Sequence, residues 1–355
     1  MNPVPETTSA GRDACGAHPD SSLLFATAFY HAAGRSPNAW TFSEQSKLAM
    51  YYRCMVVCYA SIRRLYPQAQ LALFTNRELS EPYSGQLRSL GVSTVICADR
   101  YVGDRTFRNG FPGCLYTLDV IEHLALHPRS DFSSLILIDS DCIFRYRLGG
   151  MPDNLASGCE ACYAYAPGYP VGMVVNGQSR ATLTLALRYF SGQMAASPIQ
   201  LYGGEFYGLA ATSLPKLAAR IEAFWAWMKT QGAATFGDSL TEEHVMSVVL
   251  AQTGDTVHSA NGLIKRIWTA SAFSTVDGSE AGLPVWHLPA EKKKGFAKLY
   301  RYWLRHDGFA GLSDEGFRAL VDQFIPLRAG GREYPGRTAL LRLRGAARFL
   351  VTGRA

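Results

Sequence analysis

Along the chain, short dense apolar runs alternate with longer stretches in which apolar positions recur every three or four residues. Residues 23–29 (LLFATAF) read as a buried strand. From Ser43 onward Leu48, Tyr52, Met55, Tyr59 and Ile62 keep helical spacing until Pro67 closes the segment. Residues 71–75 (LALFT) predict a second strand, a short helix is expected near Leu87, and residues 92–98 (VSTVICA) predict a third strand. A helix over residues 112–127 precedes the apolar run 135–138 (LILI), the fourth strand. This alternation predicts an α/β fold with a mostly parallel central sheet and helices on both faces. Beyond residue 145 the rhythm is less regular. Apolar segments stand at 172–176 (GMVVN) and 205–211 (EFYGLAA), and helices are expected over 181–191, 214–229 and 242–252. The sequence has no internal repeats.

Composition narrows the picture. With 355 residues, 48% hydrophobic and 18% charged, the chain can bury a large core. The 12% aromatic content argues against a disordered chain. A net charge of +6 suits an anionic ligand or a membrane surface better than bulk nucleic-acid binding, and no nucleic-acid recognition signature is present. The first 21 residues lack the basic start and apolar core of a secretory signal and read as a disordered leader. No apolar run approaches the roughly 18 residues of a membrane span, so a cytoplasmic location is expected. Of eight cysteines, Cys54, Cys58, Cys97, Cys114 and Cys142 sit in apolar stretches, as buried thiols do. Cys159 and Cys162 form a lone Cys-x-x-Cys, a weak zinc signal without a second pair.

The most informative stretch ends the fourth strand. Asp139-Ser140-Asp141 follows four apolar residues. In open α/β sheets ligands bind at the carboxyl ends of strands. Carboxylates at i and i+2 around a chain bend can reach one divalent cation, which takes substrate phosphate oxygens as its remaining ligands. A solvated turn would use the same residue types. So would a phosphohydrolase of the haloacid dehalogenase type, although its aspartates usually follow the first strand.

Three further segments resemble GT-A glycosyltransferases of the retaining kind. Phe25, Ala26, Thr27 and Tyr30 resemble the Phe-Ala-x-x-x-Tyr stretch of the family-six, blood-group type enzymes, which holds uridine. Thr241 to Leu250 resembles the helix that opens Asp-Gln-Asp-x-Leu-Asn in family-eight, glycogenin-like enzymes and Asp-Glu-Ser-His-Leu-Asn in family six. That likeness puts Glu243 at the nucleophile or stabiliser position and Glu242 on the preceding acid that contacts sugar hydroxyls, with Ser247 where those families carry Asn. Helix-start acids that complement the dipole would read the same way. Trp286 to Lys293 resembles the family-eight His-x-x-Gly-x-x-Lys-Pro-Trp end of the core: His287 falls on a metal ligand and Lys293 on the diphosphate grip, while Ala290 replaces the Gly and Lys294-Gly295 replaces Pro-Trp. Between these, Gly203-Gly204-Glu205 resembles either the Gly-Gly strand beside the donor sugar in family six or the Gly-Gly-Glu of inverting enzymes, which makes Glu205 the alternative catalytic carboxylate.

The resemblance implies a metal-dependent transfer of a sugar from a nucleotide sugar, a UDP-sugar first, to a hydroxyl acceptor on a glycan, glycolipid or small molecule. Mn²⁺ or Mg²⁺ would sit on Asp139, Asp141 and His287. Arg108, Ser140, Gly204, His244, Lys292 and Lys293 join Phe25, Ala26, Thr27, Tyr30 and Glu242 as donor-binding candidates. A sugar-nucleotide-binding protein without turnover is the alternative. The expected organisation is a leader over 1–21, a nucleotide-sugar-binding half over 22–145, an acceptor and catalytic half of the same domain over 146–330, and a tail over 331–355. From Arg337 onward the tail carries five arginines among leucines and no acid, a pattern that predicts an amphipathic helix touching the inner face of an anionic membrane or docking on the protein's own core.

Overall fold

The run at 23–29 forms a strand for the reason its composition implies: both of its faces are covered. β1 (Leu23–Phe29) turns Leu23, Phe25 and Phe29 into one apolar layer and Leu24 and Ala26 into another. The computed structural model describes residues 19–31, 43–104, 106–107, 112–157, 162–192, 197–252, 257–270 and 273–328. After β1 come α1 (Glu44–Leu65), β2 (Gln70–Thr75), α2 (Tyr83–Ser89), β3 (Val92–Ile96), α3 (Arg100–Gly103), α4 (Tyr116–Leu126) and β4 (Ser134–Ile138). Then follow β5 (Cys142–Phe144), α5 (Met151–Ala156), β6 (Cys162–Ala164), α6 (Arg180–Ser191) and β7 (Phe206–Ala210). The remainder comprises α7 (Leu214–Trp227), α8 (Ala233–Phe236), α9 (Glu242–Gln252), β8 (Val257–Ser259), β9 (Ile264–Arg266), β10 (Thr269–Ala270), β11 (Phe273–Ser274), β12 (Val285–His287), α10 (Gly295–Arg305) and α11 (Asp314–Phe324).

The main sheet has seven strands in the order β3-β2-β1-β4-β7-β6-β8. β3, β2, β1 and β4 are parallel, β7 runs antiparallel to both of its neighbours, and β8 is parallel to β6. The sheet is thus a mixed, mostly parallel one that takes strands from both halves of the chain. One face packs on α1, α10 and α11, the other on α4, α6, α7 and α9. Burial on both faces explains why β4 and β7 read as continuous apolar runs.

A second, three-stranded sheet has the order β5-β12-β9. It places His287 opposite Cys142 on one side and Arg266 on the other. Because Cys142 directly follows Asp141, this small sheet carries His287 to the acidic end of β4.

The segment 172–176 is not a strand. Apart from one bridge, Val175 to Gln178, it is irregular, and Val174 is exposed. Pro170 precedes it, and Asn176 and Gly177 both take positive φ to close a tight turn. Its apolar residues therefore mark a surface loop. Among the described residues no helix is long and apolar enough to cross a membrane. The leader up to residue 18, Arg108, Cys159 and the tail from residue 329 lie outside the described residues.

Candidate active site

Two ladders build the site. The backbone N–H of Asp139 donates to the carbonyl of Glu205 at 3.2 Å, which prolongs the β4–β7 pairing by one step past Ile138 and Phe206. The N–H of Leu288 donates to the carbonyl of Asp141 at 3.0 Å, which prolongs the β12–β5 pairing. Asp139, Asp141, Glu205 and His287 are thereby fixed by backbone before any side chain is considered.

Their side chains converge. Nε2 of His287 lies 3.3 Å from Oδ2 of Asp139 and 3.2 Å from Oδ2 of Asp141. Single ligand atoms of Asp139, Asp141 and His287 all fall within 4.8 Å of one another, a span that one ion bridges. Two carboxylates and an imidazole are a hard-to-borderline donor set suited to a divalent cation. Asp141 and His287 are buried, whereas the Asp139 side chain is 49% exposed and opens the group to solvent. Nζ of Lys292 bonds Oδ2 of Asp141 as well.

The charges set one another. Burial opposes ionisation of Asp141, but Lys292 and then His287 outweigh it and hold this carboxyl well below the usual range. Burial would lower His287, yet Asp141, Glu205 and Asp139 raise it to about 9. The enclosing protein pushes Asp139 upward; His287 pulls it back, and Asp141 and Glu205 push it up again.

Behind this group lies a residue that sequence reasoning missed. Arg266 donates from Nε to Oε1 of Glu205 at 2.8 Å, from Nη2 to Oε2 of Glu205 at 2.5 Å, and from Nη2 to Oε1 of Glu243 at 2.5 Å. Nη1 also reaches the Tyr169 hydroxyl at 3.5 Å. Burial raises Glu205, but Arg266 and His287 overcome it and bring the carboxyl down to about 2. Glu242, the next acid on α9, has no such cation. Burial and then the neighbouring Glu243 push it up to about 8, and its Oε2 is buried without a hydrogen-bond partner.

The glycine pair serves these carboxylates. A Cβ on Gly203 would fall on the Glu205 carboxylate, and one on Gly204 on Oε1 of Glu242. The N–H of Gly204 donates to Oε1 of Glu243 at 3.3 Å. The space that two glycines leave is thus taken by the protein's own acids. Ser247 locks the arrangement: its hydroxyl donates to the Glu243 carbonyl at 2.5 Å and accepts the Tyr202 N–H at 2.8 Å.

Other sequence candidates fall elsewhere. The Phe25, Ala26 and Thr27 side chains are wholly buried, with Phe25 packed on Tyr66 and Phe144, so they fill the core rather than line the site. Tyr30, just past β1, is half-buried, and its hydroxyl donates to Oδ2 of Asp99 at 3.2 Å. The N–H of His31 donates to Oδ1 of Asn76 at 2.8 Å. Tyr30, Asn76 and Asp99 thus gather at the carboxyl ends of β1, β2 and β3; a lone Asn or Asp after a strand gave no signal of this. His244 is buried, with Nδ1 accepting from the Thr241 N–H at 3.1 Å at the start of α9 and Nε2 held to the Val175 carbonyl at 3.0 Å, so one nitrogen braces the helix start and the other ties α9 to the 172–178 loop. Ser140 is buried in the bend between the two aspartates.

Beside Lys292 opens a cavity of about 490 Å³ lined by Gln45, Ser46, Ala49, Met50, Arg53, Lys292 and Lys293. Three cations and no carboxylate face it, which makes it a place for an anion next to the acidic triad.

No family model and no curated protein matches the sequence. Solved structures do. Mouse xyloside xylosyltransferase 1 in its apo form superposes at a TM-score of 0.44 with 12% identity, over 77% of this chain and 99% of its own. The apo bifunctional glycosyltransferase WbbM superposes at 0.50 with 11% identity, over 76% of this chain and 46% of its own, so this chain spans less than half of that protein. The second likeness bears on architecture: the fold is that of the GT-A-like glycosyltransferases.

Proposed function

We propose that the chain is a metal-dependent glycosyltransferase that moves a sugar from a nucleotide sugar, a UDP-sugar first, to a hydroxyl acceptor with retention. The observation that carries this reading is the convergence of Asp139, Asp141 and His287 at the carboxyl edge of a GT-A-like sheet, beside a cavity lined only by cations among its charged residues. A site that pairs carboxylates with a facing basic wall suits a divalent cation together with the diphosphate it neutralises.

Asp139, Asp141 and His287 would hold Mn²⁺ or Mg²⁺, which when bound supplies positive charge to the departing nucleoside diphosphate. Lys292, which in this structure shares Asp141, is placed to turn toward that diphosphate, and Lys293 and Arg53 extend the same basic wall. Tyr30, Asn76 and Asp99 offer a ring, an amide and a carboxylate for the base and ribose.

The two acids of α9 divide the sugar between them. Glu242 carries its proton near neutrality and donates a hydrogen bond to a sugar hydroxyl oxygen. Glu243, fixed by Arg266 and Gly204, presents negative charge toward the anomeric carbon as the bond to phosphate breaks. The 166–178 loop, tied to the site through Tyr169 and Arg266, forms the acceptor side.

A thermal-shift screen of nucleotide sugars with Mn²⁺ tests the reading, since a ligand at 100 times its Kd stabilises the native state by about 2.7 kcal/mol. One UDP-sugar should raise Tm only with metal, and an acceptor should then release UDP. Phosphate release without acceptor, with no response to any nucleotide sugar, would replace this reading with a phosphohydrolase.

A further inference from the structure

Glu205 has the charge of a catalytic acid but not the position. It is fully buried, and both of its oxygens are turned to Arg266. Its surroundings point to a different role. Nδ1 of His287 is buried and has no hydrogen-bond partner within ordinary reach, and Oε1 of Glu205 lies 3.6 Å away. An imidazole that ligates a metal through Nε2 keeps its proton on Nδ1, and a buried N–H without an acceptor is costly.

We infer that Glu205 is a positioning residue: its carboxylate, held flat by the Arg266 fork, takes the Nδ1 proton of His287 as a hydrogen bond and so aims Nε2 at the metal. This inference rests on the reading of Asp139, Asp141 and His287 as a metal centre. Each link has a structural cause. Arg266 and His287 are register partners on β9 and β12, so their side chains leave the small sheet side by side. Arg266 grips Glu205 with two nitrogens, which fixes the plane of the carboxylate and leaves a second lone pair of Oε1 for the ring. The backbone carbonyl of the same Glu205 takes the N–H of Asp139. One residue thus orients two of the three ligands, Asp139 through its main chain and His287 through its side chain. The 3.6 Å separation closes with a small ring tilt, as such bonds do when the ligand arrives.

The test uses the full chain with ¹⁵N-labelled histidine, without donor or acceptor. In the wild type we expect a slowly exchanging Nδ1 proton resonance, assigned by its loss in His287→Asn, and saturable Mn²⁺ binding followed by the EPR signal of the free ion. Glu205→Ala should erase that resonance and weaken Mn²⁺ binding roughly 10- to 100-fold, the range for removing an outer partner of a ligand. Glu205→Gln keeps the shape and an acceptor oxygen; it should weaken Mn²⁺ less than the alanine variant and decides the matter if the alanine variant does not fold. Wild-type Mn²⁺ affinity and an unchanged resonance in a folded Glu205 variant would overturn the inference. If the wild type binds no Mn²⁺, the metal reading fails instead, and the proton resonance alone still decides whether Glu205 holds the ring.

Discussion

Arg266 and His287 are register partners on adjacent parallel strands, and both turn toward the buried carboxylate of Glu205. The pairing lets a three-stranded sheet with no other evident task deliver a cation and an imidazole to the end of a different, seven-stranded sheet. It also explains how five acids, Asp139, Asp141, Glu205, Glu242 and Glu243, stay close together. Arg266 offsets two of them, Lys292 and His287 offset two more, and Glu242 stays protonated.

The metal ligands give the first prediction. Asp139→Asn and Asp141→Asn should each abolish the Mn²⁺-dependent rise in Tm with the donor sugar nucleotide. Asp139 is half exposed and its replacement should leave the metal-free Tm close to wild type. Asp141→Asn leaves Lys292 without its anion and should lower Tm as well. A wild-type donor response in either variant, or turnover in excess chelator, contradicts the assignment.

Much of this was legible before the fold was known, for physical reasons. β1 and β4 were readable because burial on both faces demands nearly unbroken apolar sequence, and Asp139 and Asp141 stood out because two carboxylates at i and i+2 end such a run where an open sheet binds its ligand. Arg266 was not legible. Its partners Glu205 and Glu243 lie 61 and 23 residues away, and an arginine in a short polar strand looks like any surface arginine. Asp99 and Asn76 were hidden in the same way, since only the parallel register of β1, β2 and β3 brings them beside Tyr30. The Phe25 stretch matched a motif by letters, while the alternation of a strand sends Phe25 into the core. The apolar segment 172–176 carried no element in its sequence, and Pro170 and Gly177, which bound it, account for the loop it forms.

Glu242 and Glu243 should part on substitution. Glu243→Gln removes a charge at the reacting centre and should lower kcat on the order of 10²-fold with little change in KM. Glu242→Gln replaces a protonated acid by a neutral donor and should cost less than about tenfold, the scale of one hydrogen bond. In the wild type, donor affinity should fall as pH rises past about 8 and Glu242 ionises, and in Glu242→Gln that fall should be absent. Steady-state kinetics between pH 6 and pH 9 check both, and a severe kcat loss in Glu242→Gln alone would exchange the two roles.

The glycine pair offers a steric test. Gly204→Ala places a methyl group where Oε1 of Glu242 stands, so Glu242 must swing away while the backbone keeps its path. Donor affinity should drop, and because Glu242 has no cation partner to lose, Tm should fall less than in Gly203→Ala. Gly203→Ala strikes Glu205, which is buried and cannot move without breaking its two-nitrogen pairing with Arg266. It should therefore destabilise by about 3 kcal/mol or more, as breaking a buried ion pair does. Equal Tm losses in the two variants would show that the glycines serve the backbone rather than the acids.

The final prediction concerns acid stability and His244, a residue the sequence offered as a donor ligand. Burial lowers its pKa to about 4 while its unfolded value stays near 6.5. Below the unfolded value the unfolded chain takes up a proton that the native imidazole refuses, so the contribution of His244 to stability is whole above about pH 6.5 and is lost as pH falls toward 4. The difference of about 2.5 pH units corresponds to roughly 3 kcal/mol. Other buried groups act in the opposite sense: Asp119, raised to about 7 by burial, and Glu242 favour the native state at low pH. The informative quantity is therefore the difference between wild type and His244→Gln, in which an amide N–H can still reach the Val175 carbonyl. Urea unfolding at pH 7 and at pH 4.5 should show the wild type losing about 2–3 kcal/mol more than the variant over that interval. Equal losses would mean that His244 is protonated in the native state. Its Nδ1 could then no longer accept the Thr241 N–H, and the bond that braces the start of α9 would have to be redrawn.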